Sequence, residues 1–466
     1  MFSGGESELV FCAVFKTVRV AANPSRVGSI PTRSRQLITP PYPSARKQPL
    51  NTLHIETLLY LTTPEGKALL AEASSLPNDR LLRLSRLRKK VSVERAAIAV
   101  ELLELRGRAL SKFAQAESLF FTKEGLEQST SEIVAEYRAS RFLSGARVFD
   151  ACAGVGGDSL ALLKRNEVLA VDSNPVTLTC LRLNAGVVCP QRAASLHTLC
   201  ADVTALDLAR IRSSGCDTAF VDPSRRTEGQ HGERRRVHSS SDYSPPLEWV
   251  QTLRASIPNV GVKISPAIDE ATLHDAPDAE VEFVSVRGEC REAVLWFGEF
   301  AQESRRPLYQ YGTFCYTATL LGRQETPLIF APFECDPASV VSPQAWLYEP
   351  DPAVIRAHLV SQLASQLNAG IFAHDIAYLT ADSLIETPFA TAYRVLESMP
   401  YRPKEILKWL RREGRRVEVV KKRGVPLEPE AVRKSLSGAN SDGSPLTLVL
   451  TPRLGGTLAL LCERVG

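Results

Sequence analysis

The stretch Asp150-Ala151-Cys152-Ala153-Gly154-Val155-Gly156-Gly157-Asp158 follows a short apolar run and precedes a helical pattern. Glycines in such a turn let the backbone bend sharply and let a ligand approach closely, because a Cβ would block both. A glycine turn between a strand and a helix is typical of a parallel α/β sheet, whose ligands bind beyond the carboxyl ends of the strands. This stretch therefore predicts both the fold class and the place of the site.

Short apolar runs separated by helical patterns continue along the chain from this turn. Five candidate strands are predicted at 147–150, 168–172, 196–200, 218–222 and 260–264. Two alternating runs at 281–286 and 293–297, joined by a turn at Gly288, predict an antiparallel hairpin that closes the sheet.

Carboxylates follow the predicted strands at positions that suit a nucleoside. Asp172 ends the second strand, where a carboxylate can accept both hydroxyls of a ribose. Asp202 follows the third strand and is placed to accept from the exocyclic amine of an adenine. Asp150 and Asp158 at the two ends of the glycine turn would repel a pyrophosphate but suit an ammonium and a sulfonium.

A ligand with these groups is S-adenosylmethionine. Two alternatives stay open from the residues alone. The glycines could form only a tight turn with solvated acidic caps, or the site could bind a dinucleotide, as in an NAD-dependent oxidoreductase.

The glycine turn, Val171-Asp172-Ser173-Asn174-Pro175 and Asp222-Pro223-Ser224-Arg225-Arg226 resemble the motifs of class I S-adenosylmethionine-dependent methyltransferases. More narrowly, the chain resembles a bacterial group with a THUMP-like C-terminal domain, related to trimethylguanosine synthases and RNA guanine-N2 methyltransferases. The narrower likeness is carried by Gly288-Glu289-Cys290-Arg291-Glu292, Tyr348-Glu349-Pro350-Asp351-Pro352 and Lys421-Lys422-Arg423-Gly424.

The resemblance implies an α/β fold with a Rossmann-like seven-stranded methyltransferase sheet, a helical N-terminal domain and small α+β C-terminal domains. Asp158 has an alternative role as a cap of the helix that follows the turn. The residues predicted to bind S-adenosyl-L-methionine are Asp150, Cys152, Gly154, Gly156, Gly157, Asp158, Asp172, Asn174 and Asp202.

The reacting end of the site is predicted at Asp222 and Pro223, after the fourth strand. In amine-methylating relatives, an Asp or Asn followed by Pro-Pro-aromatic holds the target amine, and the aromatic ring stacks on the base. Asp222 and Pro223 match this pattern, whereas Ser224 and Arg225 depart from it. A cysteine nucleophile, as in base-carbon methylation, is not favoured, since Cys152 is expected to pack as a small apolar residue.

Arginine can replace the aromatic ring, because a guanidinium stacks on a base or clamps a phosphate. Arg225 and Arg226 are predicted substrate contacts on this ground, with internal pairing to nearby acids as the alternative. Ser224 and Lys263 are further predicted contacts, and the segment 227–244, which contains His231 and His238, is long enough to form a substrate lid.

Two segments are strongly basic. Residues 402–434 hold twelve Lys or Arg and five Glu, and residues 80–90 hold six basic residues and no acid. Either segment would attract a phosphate backbone, although charge runs are more often solvated faces. The predicted RNA contacts in the C-terminal segment are Arg415, Lys421, Lys422 and Arg423.

The 466 residues, with 44% hydrophobic and 23% charged residues, predict several globular domains and exclude whole-chain disorder. No apolar run reaches the ~18 residues of a membrane span, and scattered cysteines without a CxxC pair favour reduced thiols in the cytoplasm. The net charge of +4 does not by itself identify a partner.

The predicted domains are a disordered basic extension (1–52), a helical domain (53–142), the methyltransferase domain (143–300), an α+β accessory domain (301–394) and a basic THUMP-like domain (395–466). The extension could instead be a transit peptide or a mis-assigned start. In the helical domain, Ser92 is expected to cap a helix over 93–105, and Ser129 with Glu132 to form a capping box for the next helix.

The leading hypothesis is a cytoplasmic S-adenosylmethionine-dependent methyltransferase of structured RNA, with a guanine amine as a candidate target. The alternatives are methylation of a small molecule or a protein, and a non-catalytic RNA-binding protein that retains a nucleoside pocket.

Overall fold

The computed structural model describes residues 55–225, 243–268, 273, 276, 278–301, 315–438, 442–453 and 455–465. The predicted extension 1–52, Arg226, His231 and His238 lie outside these residues. None of the described helices is both long enough and apolar enough to cross a membrane.

Helices form the first part of the described chain and then alternate with strands. Their bounds are α1 Ile55–Tyr60, α2 Pro64–Ser75, α3 Arg80–Leu87, α4 Val93–Ala109, α5 Lys123–Gln128, α6 Glu132–Ala139, α7 Gly157–Leu163, α8 Pro175–Val188, α9 Leu208–Ser213, α10 Leu247–Ser256, α11 Pro352–Arg356, α12 Val360–Gln366, α13 Pro403–Arg412 and α14 Pro429–Ser435.

The strands form two large sheets and one short ribbon. Their bounds are β1 Arg147–Ala151, β2 Glu167–Asp172, β3 Leu196–Cys200, β4 Cys216–Val221, β5 Ser224–Arg225, β6 Tyr243–Ser244, β7 Asn259–Ile264, β8 Glu280–Val286, β9 Glu289–Trp296, β10 Cys315–Leu321, β11 Leu328–Phe330, β12 Trp346–Pro350, β13 Gly370–Ala373, β14 Ile376–Ala381, β15 Ala390–Pro400, β16 Arg415–Lys422, β17 Ser444–Arg453 and β18 Gly456–Val465.

The first large sheet has the strand order β11-β10-β8-β9-β7-β4-β1-β2-β3. Strands β1, β2, β3, β4 and β7 are parallel, and β9 joins β7 in antiparallel pairing. All seven strands predicted for this sheet are present within a few residues of the expected bounds. From β1 the chain first builds the β2 side and then crosses to β4, so the strand order reverses between β1 and β4.

Two further strands extend this sheet beyond the seven that the sequence predicted. Strand β10 pairs in parallel with β8, and β11 pairs with β10. Both follow residue 301, in the segment expected to belong to an accessory domain. Buried hydrophobic and threonine side chains on β10 allow it to cover the edge of β8, a pairing that only the folded sheet specifies.

The second large sheet has the order β13-β14-β12-β15-β18-β17-β16. The expected boundary between residues 394 and 395 falls inside β15, which pairs with β12 on one side and β18 on the other. After α12 the chain continues this sheet, since β13 pairs with β14 and β14 pairs with β12, both in antiparallel orientation.

The two large sheets share one apolar core. Tyr348 and Leu379 of the second sheet belong to the same buried cluster as Val262 and Phe283 of the first. Asp351 adds a polar link, since its fully buried side chain accepts from Arg323 at 2.9 Å and also caps α11. The second sheet is therefore packed onto the first sheet.

The helical region confirms one predicted cap and corrects another. The Ser92 side chain caps α4 by accepting from the Arg95 N–H, as expected. The cap of α6 is Ser131 rather than Ser129, and Glu132 accepts from the Ala114 N–H instead of closing a capping box. Through this tertiary contact, the Glu132 side chain binds the segment that follows α4.

Two glycines test the packing. An added Cβ at Gly261 on β7 would lie 2.6 Å from Trp296 and 3.2 Å from Phe220, whereas at Gly107 in α4 it would meet no atom within 4 Å. We expect Gly261→Ala to lower the free energy of unfolding by about 1–3 kcal/mol through overpacking. Gly107→Ala should raise it by about 0.5–1 kcal/mol, because alanine favours the helix.

Chemical denaturation of the two variants beside the wild type checks this prediction. Equal stability changes of the same sign would contradict the described packing around Trp296.

Candidate active site

The carboxyl ends of β1, β2, β3 and β4 meet at one edge of the first sheet. Ala151 pairs with Val171 on one side and with Val221 on the other, and Asp172 pairs with Cys200. The residues that follow these strand ends, Cys152, Asp172, Asp202 and Asp222, therefore converge on the crevice where the strand order reverses.

Cys152 lies at the centre of this convergence. It has a φ of 67°, in the left-handed region that a residue with a side chain rarely adopts. Burial raises the pKa of its thiol well above the ordinary value, and the negative charges of Asp222, Asp172, Asp150 and Asp202 raise it further. The Cys152 thiol therefore stays protonated, and the four acids at or after the strand ends lie near enough to influence it.

Asp172 ties the glycine turn to the end of β2. Its Oδ2 accepts from the Gly154 N–H at 2.9 Å, and its Oδ1 accepts from the Asn174 N–H at 2.8 Å and from the Thr177 hydroxyl at 3.2 Å. A carboxylate offers about four acceptor positions, so about one remains for a ligand. Asn174 in turn caps α8 by accepting from the Val176 N–H.

Asp202 is exposed at the end of β3. Its Oδ1 accepts from the Thr204 hydroxyl at 2.7 Å and from the Thr204 N–H at 2.9 Å. These hydrogen bonds lower the pKa of Asp202, which favours the charged form. Within the described part of the chain, no hydrogen bond reaches its Oδ2.

The three glycines of the turn have different surroundings. A Cβ at Gly154 would meet no atom within 4 Å, so this part of the turn faces open space. Gly156 adopts a φ of 100° and lies against Leu181, and a Cβ at Gly157 would lie 3.0 Å from the Thr130 nitrogen. Only Gly154 thus presents an open face, while the other two glycines permit close packing inside the protein.

Asp150 points into the protein. It is 1% exposed and accepts a hydrogen bond from the Ser159 hydroxyl. Burial raises its pKa well above the ordinary value, and the nearby charges of Asp158 and Asp222 act in the same direction. The sequence argument treated Asp150 as a charged frame of the turn, but its surroundings favour the neutral form.

Asp158 is also turned inward and is compensated by a cation. Its carboxylate pairs with Arg138 of α6, which also pairs with Glu292 of β9. The Arg138 guanidinium lies over the Phe220 ring, 4.5 Å from its centroid. Burial alone would lower the pKa of Arg138, but Asp158 and Glu292 outweigh burial and raise it.

A chain of hydrogen bonds leads from this buried pair to the reacting end of the site. The Thr130 hydroxyl donates to Asp158 at 2.9 Å and accepts from the Lys263 ammonium at 3.0 Å. Lys263 also donates to Asp222 Oδ2 at 2.7 Å. Burial would lower the pKa of Lys263, but the charges of Asp222, Glu292 and Asp158 raise it, so Lys263 remains a cation.

The other predicted contacts at this end are backbone neighbours of Asp222. Pro223 is buried and Ser224 is exposed, with its hydroxyl donating to the Ser244 carbonyl at 3.3 Å. Ser224 and Arg225 form β5, which pairs with β6. Arg226 lies outside the described residues.

The helical N-terminal region forms one wall of the turn. Gly125 of α5 packs directly on the Val155 side chain. Asn184 of α8 accepts from the Phe120 N–H at 2.7 Å and donates to the Val155 carbonyl at 3.2 Å. The region from α1 to α5 is therefore anchored on the turn itself.

The four predicted RNA contacts of the C-terminal segment are paired with carboxylates. They lie in or directly after β16 of the second sheet, and not at the strand ends of the first sheet. Arg415 pairs with Glu463 at 2.6 Å and Lys422 with Glu428 at 3.0 Å. Lys421 and Arg423 both contact Glu349 of β12. The structure therefore gives these four residues internal partners and does not bring them to Asp222.

The sequence reasoning missed Arg138, Thr130 and Glu292. Glu292 belongs to a hairpin motif that was noticed but given no role. Arg138 resembled any solvated helix arginine, because nothing in the sequence shows that α6 packs against β9. Thr130 and Arg138 lie among other polar residues, so no local signal distinguished them.

The charge around Cys152 leads to a prediction about its reactivity. Because the thiolate is the reactive form, we expect iodoacetamide to modify Cys152 at pH 8 at least ~10-fold more slowly than the exposed Cys200. Asp222→Asn should speed the reaction of Cys152 by removing a nearby negative charge. Peptide mass spectrometry over time measures both rates.

Asp217→Asn is the matched control, since Asp217 is exposed near the opposite end of the same strand. Equal labelling rates in Asp222→Asn and Asp217→Asn would contradict the convergence of carboxylates on Cys152.

Comparisons with known proteins agree with this geometry. Residues 390–464 match a family described as THUMP domain-like, and residues 54–109 match a domain of unknown function, DUF8688. A crystal structure named "putative methyltransferase from Porphyromonas gingivalis W83" superposes with a TM-score of 0.68 over 86% of this chain and 98% of that one, at 21% identity. This likeness concerns the fold.

Two relatives from Mycobacterium tuberculosis, strains CDC 1551 / Oshkosh and ATCC 25618 / H37Rv, are each named "Uncharacterized S-adenosylmethionine-dependent methyltransferase". Each is 31% identical over 380 residues, which cover 78% of this chain and 95% of the relative. With this identity, this coverage and a methyltransferase strand order, the chain belongs to the S-adenosylmethionine-dependent methyltransferase family and carries a THUMP-like domain at its C-terminus.

Proposed function

We propose that this enzyme transfers the methyl group of S-adenosylmethionine to structured RNA, with an exocyclic amine of guanine as the acceptor. One observation carries the proposal: an acid-proline pair, Asp222-Pro223, lies beside the carboxylate-surrounded turn in a chain whose residues 390–464 match THUMP-like domains. The mycobacterial relatives support the methyl donor, and the THUMP-like match supports RNA as the substrate class.

The residues of the turn fit the cofactor of the family. Gly154 has open space where a Cβ would stand, which leaves room for a ligand against the backbone. Asp172, Asp202 and Asp222 supply negative charge around that space, and a cationic donor is attracted there. When bound, S-adenosylmethionine supplies an electrophilic methyl group on a sulfonium.

We assign cofactor contacts to Gly154, Cys152, Asp172 and Asp202, with Asn174 holding the loop after β2. In this assignment, Gly156, Gly157, Asp150 and Asp158 shape the turn from the inside. Their side chains or Cβ positions face Leu181, Thr130, Ser159 and Arg138.

Asp222 is proposed to orient the acceptor amine. Its Oδ2 is held by Lys263, while no hydrogen bond from the described residues reaches its Oδ1. An amine N–H could therefore donate to Oδ1, which would aim the nitrogen lone pair at the methyl carbon. Orientation supplies most of the acceleration in such an in-line displacement, and the amine proton is lost to water during or after transfer.

Lys263 fixes Asp222 and balances its charge. Asp222 directly follows Val221 of β4, which pairs with Val262 of β7, the neighbour of Lys263. Pro223 restricts the backbone directly after Asp222. Ser224 and Arg225 follow on the β5 and β6 ribbon and are proposed to contact the nucleotide. We expect the reaction to take place in the cytoplasm, where RNA and reduced thiols are found.

The role of Asp172 in cofactor binding leads to a calorimetric prediction. Asp172→Ala should weaken S-adenosylmethionine binding by ~10- to 100-fold, because it removes a charged acceptor and the anchor of the Gly154 N–H. Isothermal titration calorimetry measures the change, with Asp217→Asn as the control that should bind normally. Unchanged affinity in a folded Asp172→Ala protein would contradict the assigned site.

The RNA proposal is tested by mass spectrometry of RNA nucleosides from cells with and without the gene. A methylated guanosine should disappear in the deletion strain and return with the wild-type gene or with Asp217→Asn. Asp222→Ala should not restore it, because we expect transfer to fall by ~10²-fold or more when no side-chain oxygen is left to orient the acceptor amine.

An unchanged nucleoside profile in the deletion strain would contradict RNA as the substrate and favour a protein or small-molecule acceptor. Full restoration by Asp222→Ala would contradict the role of Asp222.

A further inference from the structure

Helix α3 presents an exposed basic surface in the part of the chain that matches a domain of unknown function. The surface consists of Arg80 and Arg86 of α3 and of Arg88, Lys89 and Lys90, which directly follow the helix. We call it the α3 surface. It also includes Leu81, whose side chain is 78% exposed. Leu87 of the same helix is fully buried and anchors α3 in the apolar cluster of the helical region.

The acids around this surface leave its centre uncompensated. Arg80 pairs with Glu104 at one end and Lys90 pairs with Glu72 at the other. The one acid directly before the helix, Asp79, is used as its cap and accepts from the Leu81 and Leu82 N–H groups. Among the described residues, no carboxylate lies within ion-pair distance of Arg86, Arg88 or Lys89.

The second basic segment, 402–434, is compensated to a larger extent. Eight of its twelve cations pair with carboxylates among the described residues, whereas Lys404, Lys408, Arg411 and Lys434 do not. Arg402 pairs with Glu405 at 3.0 Å, Arg412 with Glu413 at 2.7 Å and Arg433 with Glu430 at 2.9 Å. Exposed ion pairs are weak, but each one reduces the net charge that a polyanion meets. The α3 surface therefore keeps a larger share of its positive charge uncompensated, since three of its five cations have no carboxylate partner among the described residues.

The α3 surface is attached to the same rigid layer as the active site. Leu84 and Leu87 of α3 share an apolar cluster with Val155 of the glycine turn. Arg80 of α3 pairs with Glu104 of α4, and Glu127 of α5 pairs with Arg108, which lies one turn further along the same face of α4. Because α5 packs on Val155, a strand bound to α3 would be held at a constant position relative to the turn.

We propose that the α3 surface binds the phosphate backbone of the RNA substrate, which gives the DUF8688-like region the function of a substrate-docking element. This inference rests on the proposed function. The three central cations would contact phosphates without reading sequence, since phosphate contacts position a nucleic acid and base contacts specify it. The exposed Leu81 offers an apolar contact to a sugar or base beside them.

The test compares the full-length wild type with the triple variant Arg86→Gln, Arg88→Gln, Lys89→Gln. RNA from the deletion strain is the probe, and binding is measured by filter binding at several salt concentrations. We expect the variant to lose ~10- to 100-fold in affinity near 0.1 M salt, with the slope of log K against log salt smaller by about 2–3. S-adenosylmethionine binding should stay unchanged, which verifies the fold.

The matched control is Arg402→Gln, Arg412→Gln, Arg433→Gln, which removes the same charge from exposed, acid-paired positions. It should lose clearly less affinity than the α3 variant. An equal or larger loss in the control, or no loss in the α3 variant, overturns the proposal. Binding to phosphatidylglycerol vesicles without binding to RNA also overturns it and indicates a membrane surface instead.

Failure of this inference can be told apart from failure of the proposed function. If the nucleoside profile shows lost RNA methylation but the α3 variant binds RNA normally, only the docking role is wrong. If RNA binds through the α3 surface but no nucleoside changes in the deletion strain, the docking role stands and RNA methylation is wrong.

Discussion

The buried guanidinium of Arg138 is the interaction on which the site depends. It joins Asp158 at the start of α7 to Glu292 in the middle of β9, and its own helix α6 connects the helical region to β1. A buried ion pair is costly to desolvate, and removal of one partner typically destabilises a protein by about 3–5 kcal/mol. The arrangement therefore holds three separate parts of the chain in one geometry.

This network also controls the charge that the crevice presents. Asp158 and Glu292 are compensated by Arg138, and the buried Asp150 has a raised pKa. The negative charge that remains near Cys152 comes from Asp172, Asp202 and Asp222, of which Asp222 shares its charge with Lys263. The sequence argument placed charge on Asp150 and Asp158, whereas the structure buries Asp150 and pairs Asp158 with Arg138.

Two neighbouring acids, Glu349 of β12 and Asp351 directly after that strand, take part in the contacts that hold the C-terminal sheet in place. Asp351 accepts from Arg323, which follows β10 of the first sheet, whereas Glu349 contacts Lys421 and Arg423 of the THUMP-like region. Two motifs that the sequence left without a shared role are thus partners in one contact. An RNA held by the THUMP-like region would be fixed relative to Asp222, because the connection between the sheets is a packed core.

The sequence by itself determined the seven predicted strands of the first sheet, the family and the position of the carboxyl-end crevice. These follow from local signals: apolar runs of strand length, a glycine turn and acids directly after strand ends. The tertiary structure alone decided which acids are buried, that β10 and β11 extend the sheet, and that Arg415, Lys421, Lys422 and Arg423 have acidic partners. Burial and ion pairing arise between residues far apart in the chain, such as Arg138 and Glu292, and no local pattern encodes which distant side chains will meet.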